Sequence, residues 1–347
     1  MRVSICIPQY NRIEYLIKSL EIISSQTHND IEIIISDDCS TDDTKFQIEQ
    51  LQKNYKFPLI YHRFVTNQGY DRNLRKSLEL ASGYYCFVLG NDDTLSNPNA
   101  ISKLCDFLQL NNYPDLGFCN YVEECNIKRP SVRAHDSVVL GSGAIIALKY
   151  YSCFSFVAGL IFKRTTFLKY NTNEYDGSIY AQIALAVKMI ASGEILFSIN
   201  DCLVIKDIRI GNDLNQSSNS YRDTLIRKWN NFKIVDGGLH SVIKILALVF
   251  TQTNSINDFI LVSIYRKIYR TTYPFWIFDY KKNNALPNAI GLVIGLLPWK
   301  NTSFKNLVWY SKFEIIITYI VTTLFSLLLP SFLVFKFKNQ LYSLIKR

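Results

Sequence analysis

The 347-residue sequence has only four histidines, and its eight cysteines, at positions 6, 39, 86, 105, 119, 125, 153 and 202, form no C-x-x-C pair. Both absences argue against a structural zinc site, whose sulfur and nitrogen ligands come at short spacings. Cys6 and Cys86 fall inside apolar strand-like runs, where a free thiol acts as a small hydrophobe, so a reducing, cytosolic compartment is expected. No glycine occurs in "PQYNRIEY" (8–15). The dinucleotide fingerprint G-x-G-x-x-G and the Gly-rich phosphate loop of a nucleotidyltransferase are therefore both missing after the first strand. The N-terminus reads as strand, so no signal peptide is expected there.

Most of the chain also lacks any excess of charge. The net +9 resides in residues 259–347, where twelve Lys and Arg face only Asp279 and Glu314. With no groove-reading motif, and with the basic excess lying beside apolar blocks, nucleic acid is excluded as a partner.

What is present is an alternation of strand and helix. "VSICIP" (3–8), "IEIIIS" (31–36), "LIYHRF" (59–64) and "YYCFVL" (84–89) are short apolar runs. Helical spacing follows at 12–25 and at 73–81, and Asn97-Pro98 reads as a helix start. Ser40 or Thr41 reads as the cap of a helix with Asp42 and Asp43 in its first turn. Near-continuous apolar strands separated by helices predict an α/β fold with a mostly parallel sheet and helices on both faces. Ligands of such sheets bind at the strands' carboxyl ends, where "PQYNR", "SDDCST" and "GNDDT" would converge. The carboxylate pairs Asp37-Asp38 and Asp92-Asp93 raise each other's proton affinity unless something positive enters. Oxygen ligands of that kind suit Mg²⁺ or Mn²⁺, which complete their shell with substrate phosphates and water.

Five segments in order, "SICIPQYNR" (4–12), "IIISDDCSTDDT" (33–44), "NQGYDRN" (67–73), "ASGYYCFVLGNDDTL" (81–95) and "FVAGLIFKR" (156–164), resemble the family 2 glycosyltransferases. The resemblance covers about residues 1–205 and implies a GT-A fold and inverting sugar transfer from a nucleotide diphosphate sugar. It places Pro8, Tyr10, Asn11, Arg12, Asp37, Asp38, Asn67, Arg72, Asn73, Asn91 and Asp92 around the donor, with Tyr10 and Asp38 on base and ribose. It makes Asp93 the ligand of a Mn²⁺ or Mg²⁺ ion, with Asn91 standing where the D-x-D motif has its first aspartate. The family's general base opens a helix that runs on to a glycine. Counting back from Gly193 finds Ala181 and Gln182 there, and glutamine cannot take up a proton usefully. Asp176, with Glu174 beside it in "NEYDGSIYAQ", is the expected substitute. An inactive nucleotide-binding scaffold is the rival reading, carried by Gln182. A glycosidase, needing two opposed carboxylates across a sugar, fits the strand-tip pattern poorly.

Residues 1–220 are thus expected to form the catalytic domain, and 221–347 a helical, basic and apolar region. Within it, 241–250, 259–265, 289–299 and the uncharged 315–335 are apolar blocks, and Trp276, Trp299 and Trp309 suit a membrane interface. A single crossing would part the basic C-terminus from a cytosolic donor site, so peripheral or monotopic seating on the cytoplasmic face of the inner membrane is expected, with a lipid-linked saccharide as acceptor. The polar run 209–220 is a candidate cover for the donor.

Overall fold

The computed structural model describes residues 1–128, 130–211 and 239–336. The chain divides into two compact units, Met1–Ser217 and Ser218–Arg347. Most of the expected 209–220 cover, and the basic end from residue 337, lie outside the described residues.

The first unit carries nine strands: β1 (Val3–Gln9), β2 (Ile31–Asp37), β3 (Leu59–Arg63), β4 (Tyr85–Val88), β5 (Thr94–Leu95), β6 (Leu116–Glu123), β7 (Val138–Gly141), β8 (Leu160–Lys163) and β9 (Leu196–Lys206). They join in one sheet in the order β3-β2-β1-β4-β8-β6-β9-β5, with β7 also on β9. The pairings β1 with β2, β1 with β4, β2 with β3 and β6 with β9 are parallel. The remaining contacts are antiparallel, so β5, β7 and β8 run against six strands that share a direction. The sheet is mostly parallel, as the apolar runs predict.

The helices are α1 (Ile13–Ile23), α2 (Thr44–Leu51), α3 (Tyr70–Glu79), α4 (Ala100–Leu110), α5 (Ala144–Tyr150), α6 (Arg164–Tyr170) and α7 (Ala181–Ala191). Every residue of β2 is buried, which requires cover on both faces. Val3, Ile5 and Ile7 of β1 pack in one core cluster with Leu16 and Leu20 of α1, Ile48 of α2 and Leu104 of α4. Leu74 and Leu78 of α3 are buried outside that cluster. Each such aliphatic side chain contributes about 2 kcal/mol on leaving water. Two helix starts differ from expectation. Helix α4 begins at Ala100 rather than Pro98, because the Asn97 side chain closes a turn onto the Asn99 amide. Helix α2 begins at Thr44, whose amide donates to Asp42 Oδ1 at 3.1 Å, so neither Ser40 nor Thr41 caps it.

The second unit holds α8 (Leu239–Gln252), α9 (Asp258–Lys267), a π-helical turn at Ile268–Thr272, α10 (Tyr273–Lys282), α11 (Leu286–Gly295), α12 (Thr302–Lys305), α13 (Trp309–Leu328) and α14 (Ser331–Lys336). Its core is rich in tyrosine: Tyr265, Tyr269, Tyr273 and Tyr280 are all buried. The apolar block 315–335 is not one helix. Helix α13 starts six residues earlier and ends at Leu328, because Pro330 offers no N–H and forces Leu329 into an extended conformation with ψ 130°.

Candidate functional site

The register sets the floor of the site. Gln9 at the end of β1 lies beside Asp37 at the end of β2, and Asp37 beside Arg63 at the end of β3. Beyond Gln9 the chain turns sharply through Asn11 (φ 54°) and Arg12 (φ 58°), two consecutive left-handed residues. Such strain persists only where neighbours hold it. The Asn11 amide donates to Ser40 Oγ at 2.8 Å and Asn11 Oδ1 accepts from the Thr41 amide at 2.8 Å. The Ile13 amide donates to Asp42 Oδ2 at 3.0 Å. The loops after β1 and β2 are therefore bolted together.

Gln9, which the sequence analysis did not single out, is the hub. Its buried side chain donates to Thr44 Oγ1 at 3.0 Å and accepts from Asn91 Nδ2 at 2.9 Å. Its backbone carbonyl accepts from Asn73 Nδ2 and from the Asp38 amide, each at 2.9 Å. One residue thus ties α2, α3 and the loops after β2 and β4 to the end of β1. The available signal was a lone amide closing an apolar strand.

The aspartates of "SDD" are braces. Asp37 is fully buried, accepting from the Ser40 amide at 2.9 Å and Tyr61 Oη at 2.6 Å, with Arg63 Nε at 3.4 Å. Asp38 is 3% exposed and takes the amides of Gln68 (2.6 Å) and Gly69 (2.9 Å), while Asn67 Nδ2 donates to its carbonyl. Both carboxylates thus hold neighbouring loops through internal donors, at the strand end where the sequence expects the donor. Tyr10, in contrast, is 47% exposed. Pro8 is half-buried within β1. Asn73 is buried with no partner for its Oδ1 among the described residues.

Across the crevice, Arg12 Nη1 donates to Asp92 Oδ2 at 2.7 Å. Asp93 is almost wholly buried, and its carboxyl is pushed up to about 8, first by burial and then by the neighbouring charges of Asp92 and Asp207. The Asp207 amide, donating to Asp93 Oδ1 at 3.1 Å, and the nearby Lys206 act in the opposite direction. Lys206 Nζ lies 3.0 Å from Asp207 Oδ2. Neither Lys206 nor Asp207 was read as functional from sequence, because β9 brings them here from 114 residues away. Gly90 matters for space, since a Cβ there would stand 2.5 Å from Asp93 Oδ2.

The donor set fits a hard divalent cation. Crowded carboxylates whose charge is disfavoured are relieved by positive charge. Among the described residues no group of three His, Cys, Asp or Glu side chains could hold an ion by itself. Donor phosphates and water would complete the shell, as is usual for Mg²⁺ and Mn²⁺.

A polar cavity of about 650 Å³ opens between α3 and the loop joining α6 to α7, lined by Gln68, Arg72, Arg75, Glu79, Asn171 and Asp176 among others. Arg72, expected at the donor, donates to Glu79 Oε1 at 2.7 Å. Arg75, 4% exposed, grips Asp176 through two bonds, Nε to Oδ1 at 2.8 Å and Nη2 to Oδ2 at 2.5 Å. Asp176, the expected base, is therefore a paired carboxylate. Glu174 on the same loop is exposed. The loop is pinned again by Asp71, a buried acid unremarked in the sequence. Its oxygens take the amides of Ile179 (2.7 Å) and Ala181 (3.2 Å), and burial pushes its carboxyl up to about 6. Ile179 sits at φ 61°, an outlier for a β-branched residue. Helix α7 starts at Ala181, so Gln182 is its second residue, buried, with no partner for Oε1 among the described residues.

Comparison with known proteins adds three findings. Residues 4–155 match the family model described as glycosyl transferase family 2. Abequosyltransferase RfbV of Salmonella typhimurium is 35% identical over 193 residues, covering 51% of this chain and 56% of that protein. The GalNAc(5)-diNAcBac-PP-undecaprenol beta-1,3-glucosyltransferase of Campylobacter jejuni is 32% identical over 128 residues, covering 37% and 41%. The chain thus spans about half the length of these curated relatives. Among solved structures, S. aureus TarS 1–349 in complex with UDP-GlcNAc superposes with a TM-score of 0.60 at 15% identity, covering 93% of this chain and 90% of that one. At that identity the likeness concerns the fold.

Proposed function

We propose, from the match of residues 4–155 to glycosyl transferase family 2 and from a fold shared with a UDP-GlcNAc-bound transferase structure, that the protein transfers a sugar, with inversion, from a nucleotide diphosphate sugar to a lipid-linked saccharide. The observation that carries this reading is the joining of the loops after β1 and β4 by Arg12 and Asp92, beside an Asp93 whose charge awaits a cation.

In this reading the exposed ring of Tyr10 receives the base, and Asp37 and Asp38 keep the surrounding loops in place. Arg12 and Lys206 supply positive charge near the diphosphate. Asp93, with Asp92 and Asn91 beside it, would hold a Mn²⁺ or Mg²⁺ ion, which when bound offsets negative charge on the leaving diphosphate. The acceptor hydroxyl gives its proton to a carboxylate as its oxygen bonds to the anomeric carbon, and the bond from that carbon to the phosphate oxygen breaks with its electrons leaving on the diphosphate. The loop 171–180 offers two carboxylates for the proton, Asp176 and Glu174.

A lipid-linked acceptor is supported by the Campylobacter relative, whose name carries a PP-undecaprenol saccharide. It suits synthesis of a bacterial surface polysaccharide such as capsule or O-antigen, on the cytoplasmic face of the inner membrane where nucleotide sugars are available. Gln182, buried where the family has an acid, favours a second reading as an inactive nucleotide-binding scaffold. Calorimetric titration with UDP, GDP and dTDP, with and without Mn²⁺, on the wild type and Asp93→Asn decides the donor site: metal-dependent binding lost in the variant is expected. Binding without any turnover over a panel of donors and lipid acceptors would favour the scaffold.

A further inference from the structure

The two faces of α13 reverse the polarity that water selects. Its buried side carries Ser311, Thr318, Thr323 and Ser326 beside Ile315 and Tyr319. Its most exposed side chains are apolar: Phe313, Ile317, Ile320, Val321, Leu324 and Leu328 are between 43% and 77% exposed. In a water-soluble helix the apolar stripe faces the core, whereas helices bathed in lipid pack through small and hydroxylated residues.

The inner face is knit by hydrogen bonds. Tyr273 Oη and Thr323 Oγ1 are 2.8 Å apart, and Tyr319 Oη donates to the Val293 carbonyl of α11 at 2.7 Å. Helix α11 prolongs the apolar surface with Leu286, Ile290 and Ile294, one turn apart and all exposed. The C-terminal end of α13 is also finished for surroundings poor in water. Helix ends leave carbonyls unpaired, but Lys281 Nζ donates to those of Ser326, Leu327 and Leu329 at 2.7–2.9 Å.

We propose that the outer faces of α13 and α11 form a lipid-contacting surface that seats the second unit in the interfacial zone of an anionic bilayer. The occupant is hydrocarbon because the exposed side chains from Ile317 to Leu328 are all aliphatic or aromatic, and the half-exposed Glu314 nearer the helix start is already paired with Arg266. Its border fits a membrane interface: Trp299, Trp309 and Tyr310 are exposed at its end, with Lys300 and Lys305 exposed in the same stretch of chain. The packed inner face leaves only one side of α13 for lipid, which is the arrangement of a helix lying in the surface.

This inference rests on the second unit alone and is tested without catalysis. The full chain and the double variant Ile317→Glu/Leu324→Glu are floated with vesicles of phosphatidylethanolamine plus phosphatidylglycerol. Circular dichroism and nucleotide titration verify that both fold. The wild type is expected to float, and the variant to bind about tenfold more weakly while binding nucleotide equally well. Equal flotation of the two proteins, or none by the wild type, overturns the proposal. A wild-type dimer in solution that the variant dissociates also overturns it, making the face a contact between copies.

Discussion

Arg12 and Asp92, 80 residues apart in sequence, meet at 2.7 Å across the crevice that the ends of β1 and β4 define. The pair neutralises one of two adjacent carboxylates and leaves the other, Asp93, to be answered by something that enters the site. Its side chains are 35% and 24% exposed, so the ion pair contributes little to stability, about 1 kcal/mol or less. Arg12→Ala is therefore expected to lower kcat/KM on the order of 100-fold while shifting unfolding by less than about 1 kcal/mol. Steady-state kinetics and urea denaturation, run side by side, check the separation.

Gly90→Ala brings a methyl group against Asp93, whose buried carboxylate has little room to retreat. Metal-supported nucleotide binding is expected to weaken about tenfold or more, with metal-free binding much less affected. Titration with and without Mn²⁺ measures the difference. Equal losses in both conditions would separate Gly90 from the metal.

Asp71 imposes a pH dependence on stability. Its folded-state value of about 6 exceeds the ordinary 3.8, burial being the main cause. The folded state thus holds the proton more tightly than the unfolded chain. Stability from this group is full below about pH 4, falls as pH rises to about 6, and stays at its lower level above that, a change on the order of 3 kcal/mol. Asp71→Asn should flatten that slope between about pH 4 and 6. Denaturation midpoints across that range provide the measurement.

Breaking the Arg75–Asp176 pair leaves a guanidinium that is 4% exposed with Glu79, at 3.2 Å, as its remaining charge partner. Asp176→Asn is expected to cost about 2–4 kcal/mol, and the double variant with Arg75→Met less than the sum of the single changes. A double-mutant cycle gives the coupling. Kinetics divide the two acids of the loop: if Asp176 takes the acceptor proton, its Asn variant lowers kcat by about 100-fold or more. If the loss appears instead in Glu174→Gln, Asp176 acts by positioning the loop.

Local patterns carried far. The apolar runs that close at Pro8, Ser36 and Leu89 mark strands covered on both faces, and their polar ends name the loops of the site, because strand burial and loop polarity are written residue by residue. Helix starts were less legible. The Asn97 side chain takes the Asn99 amide within its own turn, while the Asp42 carboxylate is shared between the Thr44 amide and the Ile13 amide of a neighbouring loop.

What the sequence determined by itself is therefore the alternation of strand and helix, the crevice at the strand ends, and the two-part character of a neutral front and a basic, apolar rear. What tertiary structure decided is the work each polar side chain does. Asp37 and Asp38 were turned into braces by burial, Asp176 was taken by Arg75, and Gln9, Asp71 and Lys206 became part of the site. A carboxylate's role depends on its solvation and on the charges beside it, and chain folding brings those from 30 to more than 100 residues away.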